Sequence, residues 1–171
     1  MTRWLALLPL VALVALGLMF GLYSLNRDPQ VNPEAMVGKP MPQLTLPRLN
    51  DGAVRSLAEA AGGQPVLVNF FASWCPPCEV EHPVLMEMAA QGIPIVGVAY
   101  KDAPPQTQAF LTRLGDPFTE HLVDRDGRAG VEFGVTGVPE TYLVAADGTI
   151  LAKHAGPLTA DDAAALWAKR R

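Results

Sequence analysis

Trp74-Cys75-Pro76-Pro77-Cys78 holds the only two cysteines of the chain, and their spacing admits few structures. Before it, Val66-Leu67-Val68-Asn69-Phe70-Phe71 is an apolar, β-rich run of strand length, and after it Glu79 to Ala90 suits a helix. The pair therefore falls where a strand hands over to a helix N-terminus, where free N–H groups and partial positive charge favour a thiolate at Cys75. Cys75 becomes the attacking sulfur. Cys78, one helical turn further in, closes the ring and releases a mixed disulfide. A purely structural bridge across so short a loop would remove little entropy from the unfolded chain. A zinc site needs about four ligands, and a lone CxxC supplies two. His82 leaves open a Cys75-Cys78-His82 set for a soft metal such as Cu(I), against its simpler reading as a helix-surface residue ahead of a kink at Pro83.

The hydrophobic content of 50% is concentrated at the N-terminus. From Leu5 to Leu25 roughly 20 residues carry no charge, enough to cross a hydrocarbon core. Gly21-Leu22-Tyr23-Ser24-Leu25-Asn26 offers no convincing small-x-small cleavage site, so residues 1–25 read as a retained signal anchor rather than a cleaved signal peptide. Either way the folded part is exported. The whole chain carries 13 basic and 17 acidic residues, net −4, and without Arg3 the remainder stands at about −5. No basic patch points to nucleic acid. Residues 26–41, with Asp28-Pro29, Asn32-Pro33 and Lys39-Pro40, read as a linker, leaving 42–171 as one domain able to bury a core.

Within that domain Leu44–Leu49 and Val54–Leu57 flank the hairpin signal Asn50-Asp51-Gly52, with Pro47 making the first strand an edge or an irregular one. Ser56 is placed to cap a short helix through Ala61. A central strand over Val66–Phe71, the active helix to about Gln91 and a buried strand over Ile93–Tyr100 follow. A helix over Pro105–Leu114, a short strand near Leu122-Val123, a helical piece up to Phe133 and a hairpin of Glu140–Ala145 with Thr149–Ala155 come next. Thr159 with Asp162 forms a capping box for a last helix ending in Lys169-Arg170-Arg171. This order describes an α/β sandwich with a parallel and an antiparallel half.

With CxxC at its first strand-to-helix junction, the chain resembles thioredoxin-like proteins from about Pro42 to Lys169, extended at the N-terminus by a β-hairpin and a transmembrane anchor. Within them it is most similar to the membrane-anchored CcmG/DsbE branch of cytochrome c maturation. The matching residues are Trp74 to Cys78, Glu81-His82, Val96-Gly97-Val98, Tyr100-Lys101-Asp102, Gly134-Val135, Gly137-Val138-Pro139-Glu140-Thr141 and His154-Ala155-Gly156. CxxC alone is shared by oxidants and reductants; the combination is far more specific. The resemblance implies a thiol-disulfide oxidoreductase on the periplasmic side of a bacterial inner membrane. It would reduce the CxxCH disulfide of apocytochrome c, directly or through a haem-ligation thiol protein. A membrane thiol carrier of DsbD or CcdA type would recharge it, and no soluble cofactor is implied.

A thiolate at a helix start is stabilised by N–H groups two and three residues ahead, and Pro77 removes one of these. Glu79 and Glu81 add negative charge nearby, which also opposes ionisation. A poorly stabilised reduced form makes a reductant. Thioredoxins usually keep a buried carboxylate six residues before the first cysteine; here that position is Asn69, which cannot titrate. Glu81, three residues after Cys78 on the same helix face, is the candidate to take the Cys78 proton, with a solvated surface glutamate as the alternative. Pro139 resembles the cis-proline that faces the cysteines in this fold, and a cis bond would turn the Val138 backbone toward Cys75 for strand-like substrate pairing. Trp74 is a contact surface beside Cys75. The resemblance places Glu140 on the neighbouring rim near the active site, with an ordinary strand-edge charge as the alternative, and has Tyr100 and Asp102 lining an acidic groove. The competing readings are a periplasmic dithiol oxidant, a non-catalytic Cu(I) or haem-delivery module, and a peroxidase on a related scaffold.

Overall fold

The computed structural model describes residues 8–25 and 35–170. The chain divides into two compact units, Met1–Asn32 and Pro33–Arg171. In the first, helix α1 (Leu8–Leu25) carries no charged residue, and its described side chains are exposed except at Gly21. Its 18 residues rise about 27 Å, short of the roughly 30 Å of a hydrocarbon core. Among the described residues no helix is long and apolar enough to cross a membrane. The expected span begins at Leu5, outside the described residues, as do residues 26–34 of the expected linker. Gly38 N–H donates to the Ile150 carbonyl at 2.8 Å and Met41 N–H to that of Gly148 at 2.8 Å, so the later part of that linker already lies along the domain.

The second unit begins with a hairpin, β1 (Thr45–Pro47) and β2 (Val54–Ser56), paired antiparallel. Ser56 caps α2 (Leu57–Ala61) in a reciprocal box with Glu59. Then β3 (Val66–Phe71), α3 (Pro76–Ala90), β4 (Ile95–Tyr100), α4 (Pro104–Leu114) and β5 (Glu120–Asp124) follow in alternation. After them come α5 (Arg128–Phe133), the hairpin β6 (Glu140–Val144) and β7 (Ile150–Ala155), and α6 (Ala160–Ala168), capped by Thr159 with Asp162. The five-stranded sheet runs β5-β4-β3-β6-β7, parallel across β3, β4 and β5 and antiparallel beyond β3. It is a thioredoxin-like α/β fold. β4 begins at Ile95 rather than Ile93 because Pro94 has no N–H to give a neighbouring strand; its carbonyl accepts from Leu67 instead. α3 continues through Pro83 to Ala90.

Every residue of β3 is buried, as its continuous apolar run requires of a strand covered on both faces. Leu67 and Phe71 pack with α3, α4 and α6, whereas Val66, Val68 and Phe70 pack with α5, α2 and the β1–β2 hairpin. The hairpin is fastened to β5 through Glu120, which accepts from Arg48 at 3.0 Å and Arg55 at 2.5 Å. The C-terminal end of β3, in the middle of the sheet, is thus the rigid base from which the two cysteines project.

Gly97 in β4 has no side chain because Phe118 occupies its place. A Cβ there would lie 2.8 Å from the Phe118 ring, which is stacked on Phe71 at 4.7 Å between centroids. Gly97→Ala should lower stability by about 1–3 kcal/mol through overpacking, measured by denaturant unfolding. An unchanged unfolding midpoint would contradict this packing.

Candidate active site

Cys75 is the N-cap of α3, and the first two helical residues after it are Pro76 and Pro77, neither with an N–H. One backbone donor remains for its sulfur: Cys78 N–H lies 3.2 Å from Cys75 Sγ. The two cysteines form a disulfide, with Cα atoms 5.3 Å apart. Both are buried, Cys75 at 4% exposure and Cys78 at 2%, while Trp74 stands 54% exposed beside them. The Trp74 indole N–H reaches the Lys101 carbonyl at 3.3 Å.

Beneath Cys78 lies Glu81, with no exposure at all. Its Oε1 accepts from Asn69 Nδ2 at 2.9 Å and its Oε2 from Leu158 N–H at 2.9 Å. Burial pushes the carboxyl up to about 7, against the two hydrogen bonds that favour the charged form. Glu81 is thus a buried acid–base group able to change protonation near neutrality, one turn along the helix from Cys78.

The Val138–Pro139 bond is cis, and the Val138 carbonyl oxygen lies 3.4 Å from Cys75 Sγ. The loop before β6 therefore abuts the Cys75 sulfur, with Val138 half-buried and Pro139 buried.

Glu140 does not sit on the rim. It is 1% exposed and its carboxylate faces inward, 2.7 Å from Lys153 Nζ, accepting from Thr136 N–H at 3.0 Å and lying 3.0 Å from the Tyr142 hydroxyl. Burial, with the Glu140 charge beside it, pushes Tyr142 above the ordinary phenol range, so its hydroxyl stays protonated. Glu140 is committed to fixing the loop that carries Val138 and Pro139, and its carboxylate is closed to a substrate. Asp102 differs from expectation in the same way. At 3% exposure it accepts from Ser73 N–H (2.7 Å), Ser73 Oγ (2.9 Å), Thr107 Oγ1 (2.9 Å) and Ala103 N–H (2.9 Å), bracing the turn before Trp74 instead of lining a groove. Tyr100 is half-buried, its ring set against Gly130, where a Cβ would come within 2.4 Å of it.

Two further expectations change. Glu79 is held by both Arg113 nitrogens, at 2.6 and 3.0 Å, which sets a positive charge against it and lowers its own pKa. His82 is not a surface residue: it is 3% exposed, with Nε2 3.0 Å from the Gly115 carbonyl and its ring edge-on to Phe110. Burial lowers its pKa. Among the described residues no group of three His, Cys, Asp or Glu side chains could hold a metal ion. Sequence reasoning overlooked Lys153, Arg113 and Thr136, whose roles depend on partners brought near by the fold.

Residues 36–166 match the Redoxin family. The chain is 41% identical over 165 residues to the thiol:disulfide interchange protein DsbE of Allochromatium vinosum, covering 96% of this chain and 88% of that one. It is 45% identical over 136 residues to HelX, the thiol:disulfide interchange protein of Rhodobacter capsulatus, covering 80% and 77%. Among solved structures, a secreted Mycobacterium tuberculosis disulfide oxidoreductase homologous to E. coli DsbE superposes with a TM-score of 0.65 at 28% identity, over 74% of this chain and 95% of that one.

The buried state of Glu81 makes stability depend on pH in an unusual direction for a carboxylate. Its pKa in the folded protein is raised from 4.5 to about 7, so between those values the folded form holds a proton that the unfolded chain has released. The contribution is therefore present below about pH 4.5 and lost as pH rises through about 7, amounting to on the order of 3 kcal/mol. Relative to wild type, oxidised Glu81→Gln should gain stability by on the order of that amount between pH 5 and pH 8 in urea unfolding. The same wild-type-to-variant difference at both pH values would contradict the assignment.

Proposed function

The chain belongs to the Redoxin family, within its DsbE/HelX group of thiol:disulfide interchange proteins, and on that premise we propose that it is a reductant of protein disulfides in cytochrome c maturation. It is a thiol-disulfide oxidoreductase whose redox pair is Cys75 and Cys78. The observation that carries the reducing direction is the helix start: with Pro76 and Pro77 in place, a Cys75 thiolate keeps a single backbone N–H donor, from Cys78. A reduced form stabilised so little gives up its electrons readily.

In the reduced protein Cys75 attacks one sulfur of a substrate disulfide, forming a mixed disulfide and releasing the other substrate sulfur as a thiol. Cys78 then loses its proton to Glu81 and attacks Cys75, closing the Cys75–Cys78 bond and freeing the second substrate thiol. Trp74 offers exposed aromatic surface, and the Val138 backbone beside Cys75 is placed to pair with an extended peptide. The substrate is the closed CxxCH site of an apocytochrome c, or the disulfide form of a haem-ligation partner whose regenerated dithiol then opens that site. A membrane thiol carrier of DsbD or CcdA type returns the pair to its dithiol form. The apolar, uncharged sequence run Leu5–Leu25 supports an N-terminal anchor that holds the domain in the periplasm.

A CxxCH peptide disulfide tests this directly. Cys78→Ser should accumulate an adduct through Cys75, whereas Cys75→Ser should accumulate none; an adduct mapped to Cys78 by mass spectrometry would reverse the assignment. Glu81→Gln should form the adduct at nearly the wild-type rate but resolve it more slowly, by up to about 100-fold near neutral pH. Adduct decay at the wild-type rate would return the Cys78 proton to solvent.

A further inference from the structure

Asn69 lies in the middle of β3 with no exposure, and the two ends of its carboxamide are unequally served. Nδ2 donates to Glu81 Oε1 at 2.9 Å and to Thr141 Oγ1 at 3.0 Å. Oδ1 has no donor; among the described residues it is the only buried side-chain nitrogen or oxygen left without a partner. Side chains alternate along a strand, so Asn69 shares a face with Leu67 and Phe71, which belong to the same buried cluster as Cys75, Cys78 and Leu85. Its partner Glu81 is one helical turn from Cys78.

A buried amide oxygen without a donor is costly. The arrangement becomes intelligible if the donor exists only in the other redox state. In the disulfide neither sulfur carries a proton. Reduction breaks the Cys75–Cys78 bond and adds two electrons and two protons from a donor dithiol, which itself becomes a disulfide. Cys78, 2% exposed, then bears an S–H in a place where water is scarce.

We infer that in the reduced protein the Cys78 thiol donates a hydrogen bond to Asn69 Oδ1, while Asn69 Nδ2 keeps hold of Glu81. One carboxamide then positions both ends of the proton transfer that precedes resolution. This rests on the reading of Cys78 as the resolving thiol. In that step the Cys78 proton passes to the Glu81 carboxylate, the Cys78 sulfur bonds to Cys75, and the bond from Cys75 to the substrate sulfur breaks. The departing substrate thiolate takes a proton from water. Asn69 neither gives nor takes a proton; it is a positioning residue that orders donor and acceptor.

In the full chain carrying Cys75→Ala, Cys78 is the only thiol, and its S–H stretching band reports its hydrogen bond. The band should lie at the lowered frequency of a bonded thiol and move to the unbonded position when Asn69→Leu is added. A band that does not move would assign the thiol to a backbone carbonyl and overturn the inference. A wild-type measurement guards against a variant that fails to fold. With carbon-13 and nitrogen-15 in the asparagine side chains, the Asn69 Cγ resonance should shift on reduction while its Nδ2 protons stay protected in both states. An Asn69 Cγ signal unchanged on reduction would equally overturn it. In adduct kinetics Asn69→Leu should slow resolution by about three- to tenfold with initial attack unchanged. The spectra need no partner, so their failure leaves exchange through Cys75 standing, whereas failure to trap adducts on Cys75 would not touch this hydrogen bond.

Discussion

The carboxyl group of Glu81 is placed where water cannot reach it, and the arrangement around the dithiol follows from how that group is accommodated. Stripping a carboxylate of its hydration is expensive, and only neutral donors meet it here, the Asn69 amide and the Leu158 N–H. These bonds tie α3 to the central strand on one side and to the segment entering α6 on the other. They leave Glu81 poised near neutrality, the range in which the proposed transfer of the Cys78 proton to it would be most effective.

Two other buried carboxylates work on the loops that flank Cys75. Asp102 satisfies its oxygens with Ser73, Ala103 and Thr107 and so fixes the approach to Trp74. Glu140 is paired with Lys153, whose Nζ also donates to the Gly134 carbonyl at 3.2 Å, and through Thr136 it fixes the loop ahead of the cis bond. A buried pair of this kind is a poor source of net stability, but losing one partner would strand the other charge. Its bonds to Thr136 and Gly134 anchor the loop whose Val138 carbonyl lies 3.4 Å from Cys75 Sγ. With Glu140 offset by Lys153 and Glu79 by Arg113, the acidic residues around the site exert less field on the Cys75 sulfur than their number suggests. At the helix start that sulfur is left with one backbone donor, the Cys78 N–H at 3.2 Å, since Pro77 supplies none.

The features readable from sequence were those governed by local pattern. The apolar run Val66–Phe71 became the fully buried central strand, Thr159 and Asp162 made their capping box, and Cys75 took the N-cap that its neighbours implied. Placing Glu81 on the Cys78 side of the helix followed from its spacing of three residues. Its complete burial did not, because that depends on the Leu158 segment 77 residues away. The same limit explains Glu140, Asp102 and His82, each read as a residue near the surface and each found buried among partners distant in sequence. Glu79 and Arg113 are 34 residues apart, and only the packing of α4 beside α3 brings them together. Local periodicity identifies an element and its inward face; the partner of a charge is set by tertiary topology, which a single sequence does not spell out.

The claim that two prolines leave the Cys75 thiolate under-stabilised, and so make the pair a reductant, is tested most directly by equilibrating the full chain with glutathione. The fraction of Cys75–Cys78 disulfide should place the potential nearer to about −270 mV, the thioredoxin value, than to about −120 mV, that of the strong oxidant DsbA. A potential close to the DsbA value would mean that the dithiol form is strongly stabilised by something other than the helix start, and would contradict the account.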